Sequence, residues 1–264
     1  MSLQETKDDL CLIRRSRALE LSPGAVRIVL AAGLVLAALT LIASQANPDA
    51  VDLAATRWLQ RFDSPMFFAF MAAVSWFGFA PQSLVMPVAV ASLFAARRLW
   101  VEALLVLGSQ GASLVTIGLK DIVHRARPSP DLVGVFAPLS DPSFPSGHVV
   151  QYTALFGVAF FLVYVLAQPS VRRTVALVLL AIPIVLVGPS RLYLGQHWLS
   201  DVLGGYAVAA MLLVPYCWAY TKWRLDATRR RFKHAKSTPD EPARHRRNVG
   251  GPSTAVRVAT NHEH

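Results

Sequence analysis

The sequence predicts an all-α, polytopic membrane protein with six transmembrane helices in a helical bundle, and three observations carry that prediction. Of its 264 residues, 54% are hydrophobic and only 16% charged, and the mean hydropathy is +0.42; a soluble domain carries about 25% charged residues. The apolar residues are gathered into runs long enough to cross a bilayer, which takes ~20 residues at ~1.5 Å each. The charges, finally, are placed as membrane topology requires. A net charge of +10 and a pI of 10.2 can signal nucleic-acid binding. Here, though, the cations sit in the N-terminal segment (Lys7, Arg14, Arg15, Arg17), in short turns (Arg97, Arg98, Arg172, Arg173) and in the tail from Arg229 onward. That is the positive-inside pattern of segments facing anionic lipid in the cytoplasm, so the expected partners are membrane lipids and no nucleic acid. Two cysteines, Cys11 and Cys217, cannot build a disulfide framework and lack zinc-type spacing.

The elements follow in order. Residues 1–24 form a cytoplasmic segment. The first apolar run, 25–44, exceeds the ~7–15 residues of a signal-peptide core. It reads as a retained anchor, although Ser44-Gln45-Ala46 has the small-residue look of a cleavage site. A polar stretch with Pro48, Asp49, Asp52 and Asp63 comes next. Gly78, Pro81 and Pro87 break up 66–96, giving a short interfacial helix near 66–77 and a span near 82–96. Aromatics from Trp58 to Phe79 suit the membrane interface, where Trp and Tyr collect. The next span, 99–119, closes with Lys120, and a proline-rich polar loop occupies 121–147. Spans at 149–167, 174–187 and 199–220 complete the membrane domain, 25–220. The remainder, 221–264, is a basic cytoplasmic tail without apolar periodicity, expected to be disordered beyond about residue 235. Six spans with both termini cytoplasmic put the loop 121–147 and the junction 188–198 together on the extracytoplasmic face.

On that face lie the polar residues that need explaining. "KDIVHRARP" ends one span with Lys120 and places Arg127-Pro128 seven residues on. "FPSGH" opens another with Pro145, Ser146, Gly147 and His148, and "SRLYLGQHWLSD" brings Ser190, Arg191, His197 and Asp201. His197 and Asp201 are four apart at the head of an apolar helix, so they share a face. A carboxylate bonded to one imidazole nitrogen fixes the tautomer and makes the other a better base or nucleophile. A Ser-Gly pair entering a helix can aim backbone amides at an anion.

Taken singly, each feature has a plainer use. Asp201 and Ser200 suit a helix cap, His148 a headgroup contact, and the three cations interfacial anchors. But the positive-inside rule disfavours cations on the outer face, and three of them want a counter-charge. Asp121, Asp131 and Asp141 could supply part of it. A phosphate group supplies it better, since arginine's fork grips its oxygens bidentately. Three cations, an amide turn, one histidine backed by a carboxylate and one without match what phosphoryl transfer demands. A zinc hydrolase built on His148, His197 and Asp201 is the rival, opposed by the surrounding positive charge.

With these residues the sequence resembles the type 2 phosphatidic acid phosphatase family, integral-membrane lipid phosphatases related to acid phosphatases and vanadium haloperoxidases. The family signature is K-x6-R-P, P-S-G-H and S-R-x5-H-x3-D. Lys120 to Arg127-Pro128, Pro145 to His148, and Ser190-Arg191, His197 and Asp201 reproduce it with every spacing kept. The resemblance covers roughly 99–215. It implies that His197 attacks phosphorus to form a phosphohistidine while Asp201 holds its ring. His148 would protonate the leaving oxygen and then activate water, and Lys120, Arg127, Arg191, Ser146 and Gly147 would bind the phosphoryl oxygens. It implies no metal and no other cofactor.

The expected activity is hydrolysis of a lipid phosphate or diphosphate at the extracytoplasmic face of a bacterial inner membrane. Candidate substrates are undecaprenyl diphosphate, phosphatidic acid, phosphatidylglycerophosphate and a lipid A phosphate. Selectivity is expected in residues 45–80 and 129–144. Transfer to a second lipid, and a non-enzymatic lipid-binding protein or transporter, are the alternatives.

Overall fold

The computed structural model describes residues 23–45, 48–136 and 138–237, and every regular element among them is helical. Helix α1, Pro23–Ala43, starts on proline, whose fixed φ and missing N–H suit a helix's first turn. Helix α2, Ala50–Leu59, is capped by Asp49, whose carboxylate accepts the Ala50 N–H at 2.7 Å. Pro65 opens α3, Pro65–Trp76, and α4 covers Gln82–Ala95. Helix α5, Trp100–Gly108, passes through a 3₁₀ turn at Ser109–Gly111 into α6, Ala112–Val123. His124 then ends α6 in the left-handed region at φ 49°, its N–H returning to the Lys120 carbonyl, a recurrent way of stopping a helix. Helix α7 is Gly147–Leu166, and α8 is Val171–Tyr193, capped by the Ser170 side chain. Helix α9 runs Leu199–Ser237. The chain divides into two units, 1–225 and 226–264; of the second, only the stretch to Ser237 is described.

Five stretches are long and apolar enough to cross a membrane: Gly24–Ala43, Trp100–Val123, Gly147–Leu166, Val171–Tyr193 and Leu199–Thr228. Their outward surface fits that use. Leu34 and Leu41 are 74% and 70% exposed on α1, which in water would be an aggregation surface. Helix α4, expected as a sixth span, has 14 residues, or about 21 Å of rise, against a hydrocarbon core of ~30 Å.

Several boundaries differ from the sequence reading. The polar stretch after the first span contains α2, too short for a search based on membrane-length runs. Helix α8 continues to Tyr193, so Ser190 and Arg191 lie in its last turn and not in the junction, because Pro189 is accommodated inside the helix. Helix α6 continues past Lys120 to Val123, and α9 past residue 220 to Ser237. The expected disorder of the tail falls mainly on 238–264, outside the described residues.

Helix α7 is the centre of the bundle: 56% of its membrane-length stretch is buried, against 0% for α1. Three apolar clusters surround it. Ala91, Ala103, Val106, Leu155, Val158 and Leu162 join α4 and α5 to α7; Ala112, Val150, Ala154 and Val208 join α6, α7 and α9; Val149, Tyr152, Val187 and Val202 join α7, α8 and α9. Alanine and valine dominate these seams. Between helices in lipid, close van der Waals packing replaces the aqueous hydrophobic effect, and small side chains permit it. The Tyr152 hydroxyl donates to the Val74 carbonyl at 2.5 Å, and Ser190 donates to the Met71 carbonyl at 2.8 Å. These two bonds fasten α3 against α7 and α8. Between α8 and α9, Gly195 takes φ +63°, and a Cβ there would stand 1.9 Å from the Gly134 carbonyl oxygen. Only glycine fits that turn, which sets His197 in place two residues later.

Candidate active site

One end of the bundle gathers the three sequence clusters. Helix α6 delivers Lys120 in its last turn, the connection to α7 delivers Arg127 and Asp141, and the start of α7 delivers Gly147 and His148. Arg191 comes from the last turn of α8, and His197 from the turn before α9. All seven line a single cavity of about 320 Å³, with Gly78 and Phe79 of the α3–α4 turn closing one side. Residues 120 to 197 of the signature therefore converge.

His197 is 1% exposed. Its Nε2 lies 3.2 Å from Arg127 Nη1. A guanidinium can only donate, so Nε2 is the unprotonated nitrogen and Nδ1 carries the proton. On the Nδ1 side stand Ser143 Oγ at 3.4 Å and Asp201 Oδ2 at 3.5 Å. That is longer than an ordinary hydrogen bond of ~2.7–3.2 Å. The reason is visible in Asp201, whose oxygens are occupied by stronger donors. Oδ1 accepts Arg125 Nη1 at 2.6 Å, while Oδ2 accepts Ser143 Oγ at 2.5 Å and the Trp198 N–H at 2.8 Å. Burial, together with the nearby charges of Arg191 and Arg127, holds the His197 imidazolium acidic, at about 3, against the opposing pull of Asp201. The ring is neutral at neutral pH, the form that attacks an electrophile.

The cations divide into two states. Lys120 and Arg127 are paired with Asp141: Lys120 Nζ donates to Asp141 Oδ2, and Arg127 Nη2 donates to Oδ1 at 2.9 Å. Burial favours the neutral Asp141 carboxyl, yet Lys120 and Arg127 outweigh it and hold its pKa below the usual value. Of the three aspartates offered by the sequence as counter-charges, Asp141 has this role. Arg191 is different. It is fully buried, lies 5.2 Å over the Phe79 ring, and donates from Nη1 to Ser75 Oγ, while Nε and Nη2 have no partner. His148 Nε2 and Ser146 Oγ are likewise buried without a partner. An unpaired buried donor carries a desolvation cost of ~1–3 kcal/mol, more when charged. Three of these four groups, two on Arg191 and one on His148, belong to residues that line the cavity and suit it to an anion. Ser146 does not itself line the cavity; its N–H donates to the Asp201 carbonyl at 3.0 Å, which ties the start of α7 to that of α9. Ser190, part of the signature, is likewise spent on structure, through its bond to Met71.

Sequence reasoning missed five residues: Asp52, Ser75, Gly78, Arg125 and Ser143. A Cβ at Gly78 would fall 2.1 Å from His148 Cδ2, so this glycine lets the α3–α4 turn press against the imidazole, whose ring meets Phe79 edge-on at 4.6 Å. None carries a local signal, since each acts through a partner distant in sequence. Among the described residues, no group of three or more His, Cys, Asp or Glu side chains could hold a metal ion.

With this geometry in place, comparison with known proteins is informative. The PAP2 superfamily matches residues 99–226, which contain every signature residue. Phosphatidylglycerophosphatase B of Bacillus subtilis is 36% identical over 138 residues, 50% of this chain and 65% of that protein, so the matched region spans just under two thirds of its length. The crystal structure of the first transmembrane PAP2 type phosphatidylglycerolphosphate phosphatase from Bacillus subtilis superposes with a TM-score of 0.60 at 28% identity, covering 79% of this chain and 98% of that one. Over residues 99–226, just under half of the chain, which hold Lys120, Arg127, His148, Arg191, His197 and Asp201 at the spacing of the signature, this chain is similar to the PAP2 superfamily.

Proposed function

We propose that the protein is a membrane lipid phosphatase that hydrolyses the terminal phosphate of a lipid phosphomonoester or diphosphate. A single observation carries this. One cavity is lined by a neutral imidazole whose unprotonated Nε2 meets Arg127 Nη1 at 3.2 Å, by an arginine with two unpartnered buried nitrogens and by a second histidine with an unpartnered Nε2. The phosphoryl oxygens take the open donors of Arg191 and draw Arg127 and Lys120 from Asp141, which also frees His197 Nε2. The Nε2 lone pair forms a bond to phosphorus as the bond from phosphorus to the lipid oxygen breaks, and the leaving oxygen takes a proton from His148. His148 then removes a proton from water, the water oxygen bonds to phosphorus, the N–P bond breaks, and phosphate leaves. Electrostatic stabilisation by the three cations matters most where charge spreads over the equatorial oxygens.

The phosphatidylglycerophosphatases among its relatives support a glycerophospholipid phosphomonoester as substrate, with phosphatidylglycerophosphate the first to test. An extracytoplasmic site is supported by the opposite end of the bundle, where Arg97 and Arg98 precede α5 and Arg172 and Arg173 lie in the first turn of α8. The purified protein is expected to release inorganic phosphate from short-chain phosphatidylglycerophosphate in micelles containing EDTA. His197→Ala should lose at least ~1,000-fold, since it deletes the bond-forming atom, and Asp201→Asn should lose less. Turnover by His197→Ala at the wild-type rate would overturn the nucleophile, and abolition by EDTA would overturn the metal-free route.

A further inference from the structure

Behind His197, outside the cavity, lies a second set of buried charges that the mechanism above does not use. Arg125 is 5% exposed and Asp52 2%. Arg125 Nη1 donates to Asp201 Oδ1 at 2.6 Å and to Ser200 Oγ at 2.5 Å, and its Nη2 donates to Asp52 Oδ2 at 2.6 Å. Asp52 also accepts the Ser200 N–H at 2.8 Å, so a carboxylate from α2 caps the first turn of α9. One guanidinium is thus clamped between two buried carboxylates, one of which faces His197.

We infer that Arg125 and Asp52 are positioning residues for the reaction: Arg125 fixes the Asp201 carboxylate, and Asp52 offsets the charge that Arg125 would otherwise impose on His197. This inference rests on the proposed activity and on His197 as its nucleophile. Its physical basis is that charge buried in a low-dielectric interior is weakly screened. A lone Arg125 beside Asp201 would cancel most of the field that favours the imidazolium. With Asp52 on its far side, the three groups keep a net negative charge behind His197. A simple scaffold would need hydrogen bonds there but no second carboxylate, and burying an unnecessary charge is costly.

The other charged and titratable groups facing His197 are Lys120 of α6, Arg127 and Asp141 of the following connection, His148 of α7 and Arg191 of α8. All remain in place when Arg125 or Asp52 is changed. The two residues are therefore expected to act with opposite sign. Removing positive charge eases protonation of His197, so Arg125→Gln should move the acid limb of the kcat–pH profile upward. Removing negative charge opposes it, so Asp52→Asn should move the limb downward. A shift of about 0.5 pH unit or more is expected for each.

The experiment is the kcat–pH profile for phosphate release from short-chain phosphatidylglycerophosphate by the full-length wild type, Arg125→Gln, Asp52→Asn and the double variant. Opposed shifts in the single variants, a limb near the wild-type position in the double, and kcat lower by about ten- to a hundred-fold from misplacement of Asp201 support the inference. Shifts of one sign, or loss of kcat at an unmoved limb, reduce the pair to scaffolding and overturn it. Should a single variant fail to fold, Arg125→Lys keeps the charge and loses the fork. It is expected to lower kcat with the limb unmoved, and a displaced limb would overturn the inference. A wild-type protein that releases no phosphate overturns the activity itself. Hydrolysis by the wild type with unopposed shifts overturns only this role.

Discussion

Gly78 leaves His148 room for a hydrogen and nothing larger. A methyl group there would lie 2.1 Å from Cδ2 and 2.6 Å from Nε2. With Phe79 against the ring, the imidazole must swing to relieve the clash. Gly78→Ala is therefore expected to lower kcat by about ten- to a hundred-fold while KM changes little, because the proposed mechanism assigns phosphate binding to the cations and leaving-group protonation to His148. Steady-state kinetics on phosphatidylglycerophosphate micelles would check it, and a rise in KM with unchanged kcat would place the effect elsewhere. The same crowding holds Arg191, with Ser75 on one nitrogen and Phe79 beneath it, in place rather than free to snorkel toward water.

At the scale of elements, the α6–α7 connection decides how the cavity rests without substrate. Asp141 spans Lys120 and Arg127, yet its side chain is 55% exposed, so solvent screens both ion pairs, and such pairs contribute only about 0–1 kcal/mol. In the proposed mechanism a phosphate competes for the same two cations. Asp141→Asn should tighten inhibition by inorganic phosphate by about fivefold, the equivalent of about 1 kcal/mol, with hydrolysis retained. Weaker inhibition would mean that Asp141 orders the cations for phosphate rather than standing in its way. This connection also shows what the sequence could and could not reveal. Lys120, Arg127, His148, Arg191, His197 and Asp201 were legible because fixed spacings place them at helix ends, and helix ends of one parity meet. Asp52, Arg125 and Ser143 were not, because their meaning lies in partners 73, 76 and 58 positions away. Helix α2, which carries Asp52, is ten residues long and escapes any pattern tuned to membrane length. The extension of α8 through Pro189 to Arg191 was equally hidden, since proline reads as a stop until packing overrides it.

For the whole molecule, the return of the chain between the first span and α5 decides which face the cavity meets. The contacts constrain it. Asp52 of α2 bonds the start of α9 and Met71 of α3 bonds Ser190, so both helices sit at the site end. Trp100 opens α5, whose 24-residue path through α6 finishes at that same end, so residue 100 begins at the other. Between them, Ser83 at the start of α4 accepts Gln151 Nε2 near His148 at 2.8 Å, and Ala91 packs with Ala103 and Val106 of α5. Helix α4 thus descends from site level to the far end, and its deficit of about 9 Å against the hydrocarbon core would be met by local thinning of the bilayer or by flanking Arg97 and Arg98 reaching to the interface. In a background with Cys11 and Cys217 replaced by serine, Asp63→Cys and Ser140→Cys should react with a membrane-impermeant maleimide added to intact cells. Arg97→Cys should react only after permeabilisation. If Asp63→Cys and Arg97→Cys label from one side, α4 does not cross, the parity behind the proposed extracytoplasmic cavity fails, and the lipid phosphate would have to be met from the cytoplasm.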